Sequence, residues 1–491
     1  MVSLIVLLPL IGALLILFGS PARKTALTVS TLGLVLTVFA FSQFRGNSGF
    51  EFVNSIQIVP EFGLTFTVGL DGLSLLLVLL ATIVTVAAIW FTGPVERAES
   101  SFYVCLLLIS GGTIGAFASL DLFFFYAFHE LALIPTFLLI GIWGSGNRNA
   151  AAWKITIYLG LGSFVLLIGL IMLYQSFPAE SRTFDMREFK TLAAQISPES
   201  QRNIFLLLLI GFGSLISLFP FHSWAPEAYA SAPAPAAMLH AGVLKKFGLY
   251  GMLRLALPLL PEGLQHWTGL LIALLLGNII YIGLATIAQK RLDWMLGYSS
   301  VMHMGYIFLG IATASVLGTT GAAVLMFAHG LSIALLFAIA GEVRRRTGTL
   351  VFDDLGGLAK VMPLAGLAFG FGAFAAVGLP GFANFAAEIM VFFGSFQRGW
   401  ELARFHTFQF ATVLALWGVV ISAVYMLRAY RNTFMGSMPD RWKDISDLTQ
   451  TLRVPLVLLI GALLWFGFFP QTAVRVVSPA LRSTLTTPVS K

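Results

Sequence analysis

Cysteine is almost missing from this chain of 491 residues, since Cys105 is the only one. One thiol makes no intramolecular disulfide and holds no iron–sulfur cluster, which takes several ligands. Charge is also scarce: Asp, Glu, Lys and Arg make up 10% of the residues, against about 25% in a soluble domain. With 58% hydrophobic residues and a mean hydropathy of +0.90, the chain cannot cover itself with polar surface. Lipid must be its solvent. Neither GxGxxG nor GxxxxGK[ST] occurs, so no dinucleotide or ATP site is visible. His129-Glu130-Leu131-Ala132-Leu133 is not HExxH, because position 133 is Leu. No Ser/His/Asp arrangement can be argued, and no residue is assigned a catalytic or metal-binding role. The net charge of +7 is no nucleic-acid footprint. Its Arg and Lys sit mostly in short connections, without a basic stripe and interleaved aromatics.

What is present suits a bilayer. The chain holds 48 Gly, 44 Phe and 10 Trp. Glycine is tolerated in membrane helices, and Trp suits the interfaces. A crossing helix needs about 20 mainly apolar residues. Such runs recur near 2–18, 25–44, 70–92, 102–119, 121–143, 152–175, 203–219, 233–256, 266–288, 294–313, 318–341, 361–398, 408–430 and 452–470. The fold class is therefore an all-α polytopic membrane protein with about fourteen transmembrane helices. The N-terminal run lacks a basic start and is read as the first crossing, not a cleaved signal. The twelfth run is too long for one straight helix and contains Gly378-Leu379-Pro380-Gly381, which predicts a break. The seventh breaks at Pro220. Broken membrane helices survive only where protein or a watery cavity satisfies the freed backbone, so two of them point to a transport path.

Positive residues come after the odd-numbered runs: Arg23 and Lys24, Lys290 and Arg291, Arg344 to Arg346, then Arg428, Arg431, Arg441 and Lys443. The positive-inside rule makes those connections cytoplasmic and puts both termini, and the polar loop near 176–202, outside. Arg398 and Arg404 run against this bias. No long amphipathic helix is expected after the last crossing.

A charge at mid-bilayer costs roughly 2.5–3.5 kcal/mol on insertion scales. The few candidates are Glu130, His240, Lys245, Lys246, His303, His329 and Glu388, with Asp71 and Lys154 nearer helix ends. Glu130 is either a neutral carboxyl bonding between helices or a carboxylate that takes and gives protons. Lys245 points about 100° away from Lys246 and is expected to snorkel to an interface. His303 and His329 are either satisfied core histidines or members of a lateral relay of exchangeable protons with Glu130, Lys246 and Glu388.

Several stretches carry a family resemblance: GLDGLSLLL (69–77), FFFYAFHELALIPTFLLIGIWG (123–144), LFPFHSWAPEAYASAPAPAAMLHAGVLKKFGLYGMLR (218–254), QKRLDWMLGYSSVMHMGYI (289–307), AHGLSIALLFAIAGEVRRRTGT (328–349) and GLPGFANFAAEIMVFFGSF (378–396). The chain resembles the antiporter-like subunits of the proton-pumping NADH:quinone oxidoreductase, respiratory complex I, most closely its M subunit. The resemblance implies two inverted five-helix repeats with broken helices 7 and 12. The expected domains are an N-terminal part at 1–95, repeats at 100–256 and 266–430, and a last helix with a short tail at 431–491. It implies a subunit of an enzyme that translocates protons, driven by quinone reduction elsewhere. FMN, iron–sulfur clusters and quinone would belong to partner subunits, with no cofactor on this chain. The implied partners are neighbouring membrane-arm subunits and lipid, in a bacterial cytoplasmic membrane. Glu130, Lys246 and Glu388 match the family's proton-carrying residues; His303 and His329 match its polar-axis histidines, and His240 a histidine of some sister subunits.

One position departs from the pattern. The family's helix-seven lysine, five residues before the Pro of PxHxW, is Leu215 here. Either water and serines bridge the gap from Glu130 to Lys246, or this is a divergent paralogue acting as a pump-inactive spacer. A subunit of a multi-subunit cation/proton antiporter is the further alternative.

Overall fold

The computed structural model describes residues 1–59, 61, 63–401 and 405–485, and helices dominate it. Hydrocarbon offers no partners to backbone N–H and C=O groups, and a helix pairs them within itself. Among the described residues the helices form fourteen consecutive crossings. Ten are long and apolar, from Ala22–Gln43 to Gln450–Phe468. The others are Val2–Leu17, two broken crossings, and an eighth that runs from Ala234 to Leu259 through two π turns, His240–Leu244 and Met252–Ala256. The third crossing, Gly72–Phe91, and the eleventh, Val316–Thr347, are enclosed by the rest. The sixth, Arg148–Gln175, instead turns Trp153, Leu161 and Phe164 outwards.

Both breaks fall where proline puts them. The seventh crossing is Pro198–Ile216 followed by Trp224–Ser231. Pro220 has no N–H for the Ile216 carbonyl four residues back, and the Ser217 hydroxyl donates to that carbonyl instead. The twelfth crossing is Pro363–Val377 and Ala383–Glu401. Gly378 ends its first half at φ +78°, a left-handed conformation that suits glycine. Pro380 likewise leaves the Ala376 carbonyl without a helical donor.

The connections after odd-numbered crossings meet on one face. Arg344 donates to Ser145 Oγ (2.9 Å) and to the Ala230 carbonyl (3.1 Å), and it pairs with Asp293. Arg346 reaches the carbonyls of Ser446 and Asp447, and Arg428 that of Gln289. The opposite face carries the 176–202 loop. It also carries two features that hydropathy does not announce. One is an antiparallel hairpin, β1 Glu51–Val59 with β2 Leu64–Leu70, the sheet found among the described residues of a mostly helical fold. Its Ser55 and Thr67 hydroxyls lie 2.8 Å apart across the pair. The other is a short helix, Gln471–Leu485, seated through Ala473, Val477, Ala480 and Leu481. The Val476 carbonyl runs so close to Gly72 that a β-carbon there would collide with it. Arg404 lies outside the described residues.

Candidate functional site

The π turn at His240–Leu244 sets the geometry of the eighth crossing. There the Lys245 N–H bonds five residues back, to the His240 carbonyl (3.1 Å). An extra residue in the turn rotates the remainder of the helix. Lys245 does not snorkel to an interface: it is 1% exposed, with Nζ 3.4 Å from the Ser300 carbonyl and 5.6 Å from the Tyr229 ring centre. Lys246 is fully buried. Its Nζ donates to the Ala241 carbonyl (2.6 Å) and lies 3.0 Å from His329 Nδ1. One proton serves the latter contact in two ways, as ammonium to imidazole or as imidazolium to amine.

His329, on the eleventh crossing, faces His303 on the tenth, Leu292–Ala312, with ring centres 5.4 Å apart. His303 Nδ1 is 2.8 Å from the Ser299 carbonyl, and Nε2 is 2.8 Å from the Ala376 carbonyl. That second acceptor is the one Pro380 frees. Both partners only accept, so both bonds form at once only when both ring nitrogens carry protons.

Glu388 lies beyond the same break, 4% exposed. Its carboxylate packs against Gly378, where a β-carbon would meet Oε2. Glu388 Oε1, both amide atoms of Asn384 and the Tyr306 hydroxyl are buried without a partner among the described residues. Buried polar atoms are nearly always hydrogen-bonded, and idle ones at a broken helix call for water.

Thus Lys246, His329 and His303 touch in sequence, and His303 reaches the break that Glu388 flanks. His240 sits one π turn before Lys246, with Nδ1 3.2 Å from the Tyr229 hydroxyl. Glu130 stands apart. It is half-buried, on the face of Leu122–Trp143 that carries the exposed Phe123 and Ile134, and the Tyr126 hydroxyl faces it. Leu215 is buried, against Gly162 of the sixth crossing. Lys154 is not a member of the row, because it pairs with Glu227 at 2.9 Å.

Sequence reasoning passed over Tyr229 and Asn278. Asn278 holds the seventh-crossing break: Oδ1 accepts from the Phe219 N–H (2.6 Å), and Nδ2 donates to the Ser217 (3.2 Å) and Val301 (2.8 Å) carbonyls. A lone amide inside an apolar run was the available sign. Tyr229 lines a cavity of about 210 Å³ on the arginine-rich face, together with Asp293, Phe337, Arg344 and Arg345.

Two broken helices beside a row of buried ionisable side chains mark a polytopic membrane protein whose interior holds polar groups away from lipid. The family described as "NADH:quinone oxidoreductase/Mrp antiporter, TM" matches residues 119–415, and the chain belongs to it. The chain is 35% identical over 481 residues to F(420)H(2) dehydrogenase subunit M of Methanosarcina mazei, covering 96% of this chain and 94% of that protein. It is 33% identical over 502 residues to NADH-quinone oxidoreductase subunit M of Rickettsia conorii, covering 99% and 98%. Among solved structures, a chain of respiratory complex I from Thermus thermophilus with bound NADH superposes with a TM-score of 0.89 at 29% identity, covering 99% of this chain and all of that one. A chain of the Mrp complex from Dietzia shares the fold, with a TM-score of 0.85 at 19% identity. The resemblance to subunit M drawn from the motifs holds.

Proposed function

We propose that this chain carries protons across the membrane as a membrane-arm subunit of a quinone-reducing respiratory complex. The observation that carries the reading is the continuous contact Lys246–His329–His303, ending on the carbonyl that Pro380 frees beside Glu388. The two five-crossing units, 100–256 and 266–430, each supply one broken helix. Moving one charge against 100 mV costs about 2.3 kcal/mol, so quinone reduction elsewhere in the complex must drive the step. FMN, iron–sulfur clusters and quinone belong to partner subunits in this reading. Those partners include the neighbouring antiporter-like subunits.

The arginine-rich face is cytoplasmic, and both termini are on the outer side of a bacterial inner membrane. Protons reach the row through the cavity above Tyr229, whose hydroxyl hands on to His240. Tyr229→Phe keeps the packing and removes that hydroxyl. It is expected to slow proton delivery on the order of 10-fold, read as the initial rate of acidification of inverted vesicles.

Glu388→Gln tests the reading directly. Gln keeps the shape and the hydrogen bonding but holds no transferable proton. In vesicles holding the assembled complex, proton pumping is expected to fall on the order of 100-fold, with oxidation of the electron donor falling alongside. Pumping and oxidation at native rates would leave the spacer role suggested by Leu215.

A further inference from the structure

The row of Lys246, His329 and His303 begins at the eighth crossing and leaves Glu130 without a route to it. Leu215, where the family pattern has a lysine, offers only hydrocarbon and lies buried near Gly162 of the sixth crossing. One buried titratable group between the fifth and eighth crossings has no task so far. His129 precedes Glu130 but points inwards and is 2% exposed. Its ring lies flat on Phe247, the residue after Lys246, with ring centres 4.0 Å apart and planes 4° from parallel. Neither Nδ1 nor Nε2 has a partner among the described residues, and His240 Nε2 is idle as well. The two histidines lie within electrostatic reach of each other.

For packing alone this is a poor choice of side chain. A phenyl ring would stack on Phe247 equally well, without two polar nitrogens to desolvate. Idle nitrogens on a buried imidazole are satisfied by trapped water. Glu130 Oε1 and Ser163 Oγ, on the other side of the fifth crossing, are also buried without a partner among the described residues.

We infer that His129 carries protons through trapped water between Glu130 and the His240/Lys246 cluster, supplying the step that Leu215 cannot. The inference rests on the proton-carrying reading of this chain. Water on the Glu130 side delivers a proton to one ring nitrogen. The other nitrogen releases its proton to water facing His240, and the imidazole is again neutral, in its other tautomer. A half-turn about the Cβ–Cγ bond resets it. That turn leaves the ring in the same plane, so the stack on Phe247 is kept.

The test uses the assembled complex in inverted vesicles, with protons pumped per electron pair as the readout. His129→Phe keeps the stack and removes the proton carrier; His129→Gln also keeps polar atoms for water. Both are expected to lower pumping on the order of 10-fold or more. Adding Leu215→Lys to either variant is expected to restore it, because a cation then bridges the gap directly. Native pumping by His129→Gln overturns the inference. So does a loss that Leu215→Lys fails to repair, which would mark His129 as a packing residue. If His129→Phe does not assemble, the glutamine pair decides by the same two outcomes. Should Glu388→Gln leave pumping intact, the underlying function fails. Should Glu388→Gln abolish pumping while His129→Gln does not, only this inference fails.

Discussion

Replacing Lys246 with alanine is expected to stop proton transfer through this chain while the complex still assembles. The ammonium fills the join between two helices: it holds the Ala241 carbonyl at 2.6 Å and faces His329 Nδ1 at 3.0 Å. Truncation opens a space that water can enter, so the fold loses one hydrogen-bonded side chain and keeps its crossings. On the proposed reading the row loses the exchangeable site at which it begins, and a fall on the order of 100-fold or more is expected. Lys246→Arg separates proton carrying from simple charge. Guanidinium keeps the positive charge and the donors but does not give up its proton in a protein. The arginine variant is therefore expected to pump as poorly as the alanine one, measured by dye-reported acidification of vesicles at matched complex content. Native pumping with arginine would mean that Lys246 supplies only a fixed field.

Arg254→Leu is expected to cost the assembled protein about 3–5 kcal/mol, the usual result of breaking a buried ion pair from one side. Arg254 grips Asp71 with two bonds of 2.7 Å, and its Nε donates to the Tyr250 hydroxyl at 3.2 Å. Tyr250 in turn donates to the Phe117 carbonyl (3.0 Å), and Asp71 caps the third crossing by accepting from the Ser74 N–H (3.0 Å). Three crossings meet in this cluster. Without Arg254 the Asp71 carboxylate stays buried and unpaired. Asp71→Asn in the same chain removes that stranded charge and keeps an oxygen for Ser74, so the double variant is expected to recover part of the loss. The check is the yield of intact complex and its thermal unfolding midpoint. Equal midpoints for the native protein and Arg254→Leu would count against the cluster as a clamp.

Much of the architecture was legible because its causes are local. Apolar length marks a crossing wherever it occurs, and proline breaks a helix through its own missing N–H. The breaks at Pro220 and Pro380 were therefore readable to within a few residues. Glu388, Lys246, His303 and His329 stood out because ionisable groups are costly in hydrocarbon. The hairpin β1–β2 was missed because a search for crossings passes over short half-exposed strands. Lys245 was misplaced for another reason. A helix turns it away from Lys246, but the eighth crossing is enclosed on every side there, with residues 235–250 all buried, so no face leads out to an interface.

The sequence by itself determined that the chain lives in lipid, where it crosses, where two crossings break, and which groups could hold a proton. Hydropathy and proline chemistry act within a segment and need no neighbour. Tertiary structure decided which of those groups meet. It joined Lys246, His329 and His303, gave His303 the carbonyl that Pro380 frees, set Asn278 across the other break, and laid the buried ring of His129 on Phe247 while Glu130 stayed half-buried. Such meetings depend on how each helix is rotated against the next, and a single extra residue in a turn changes that rotation for everything beyond it.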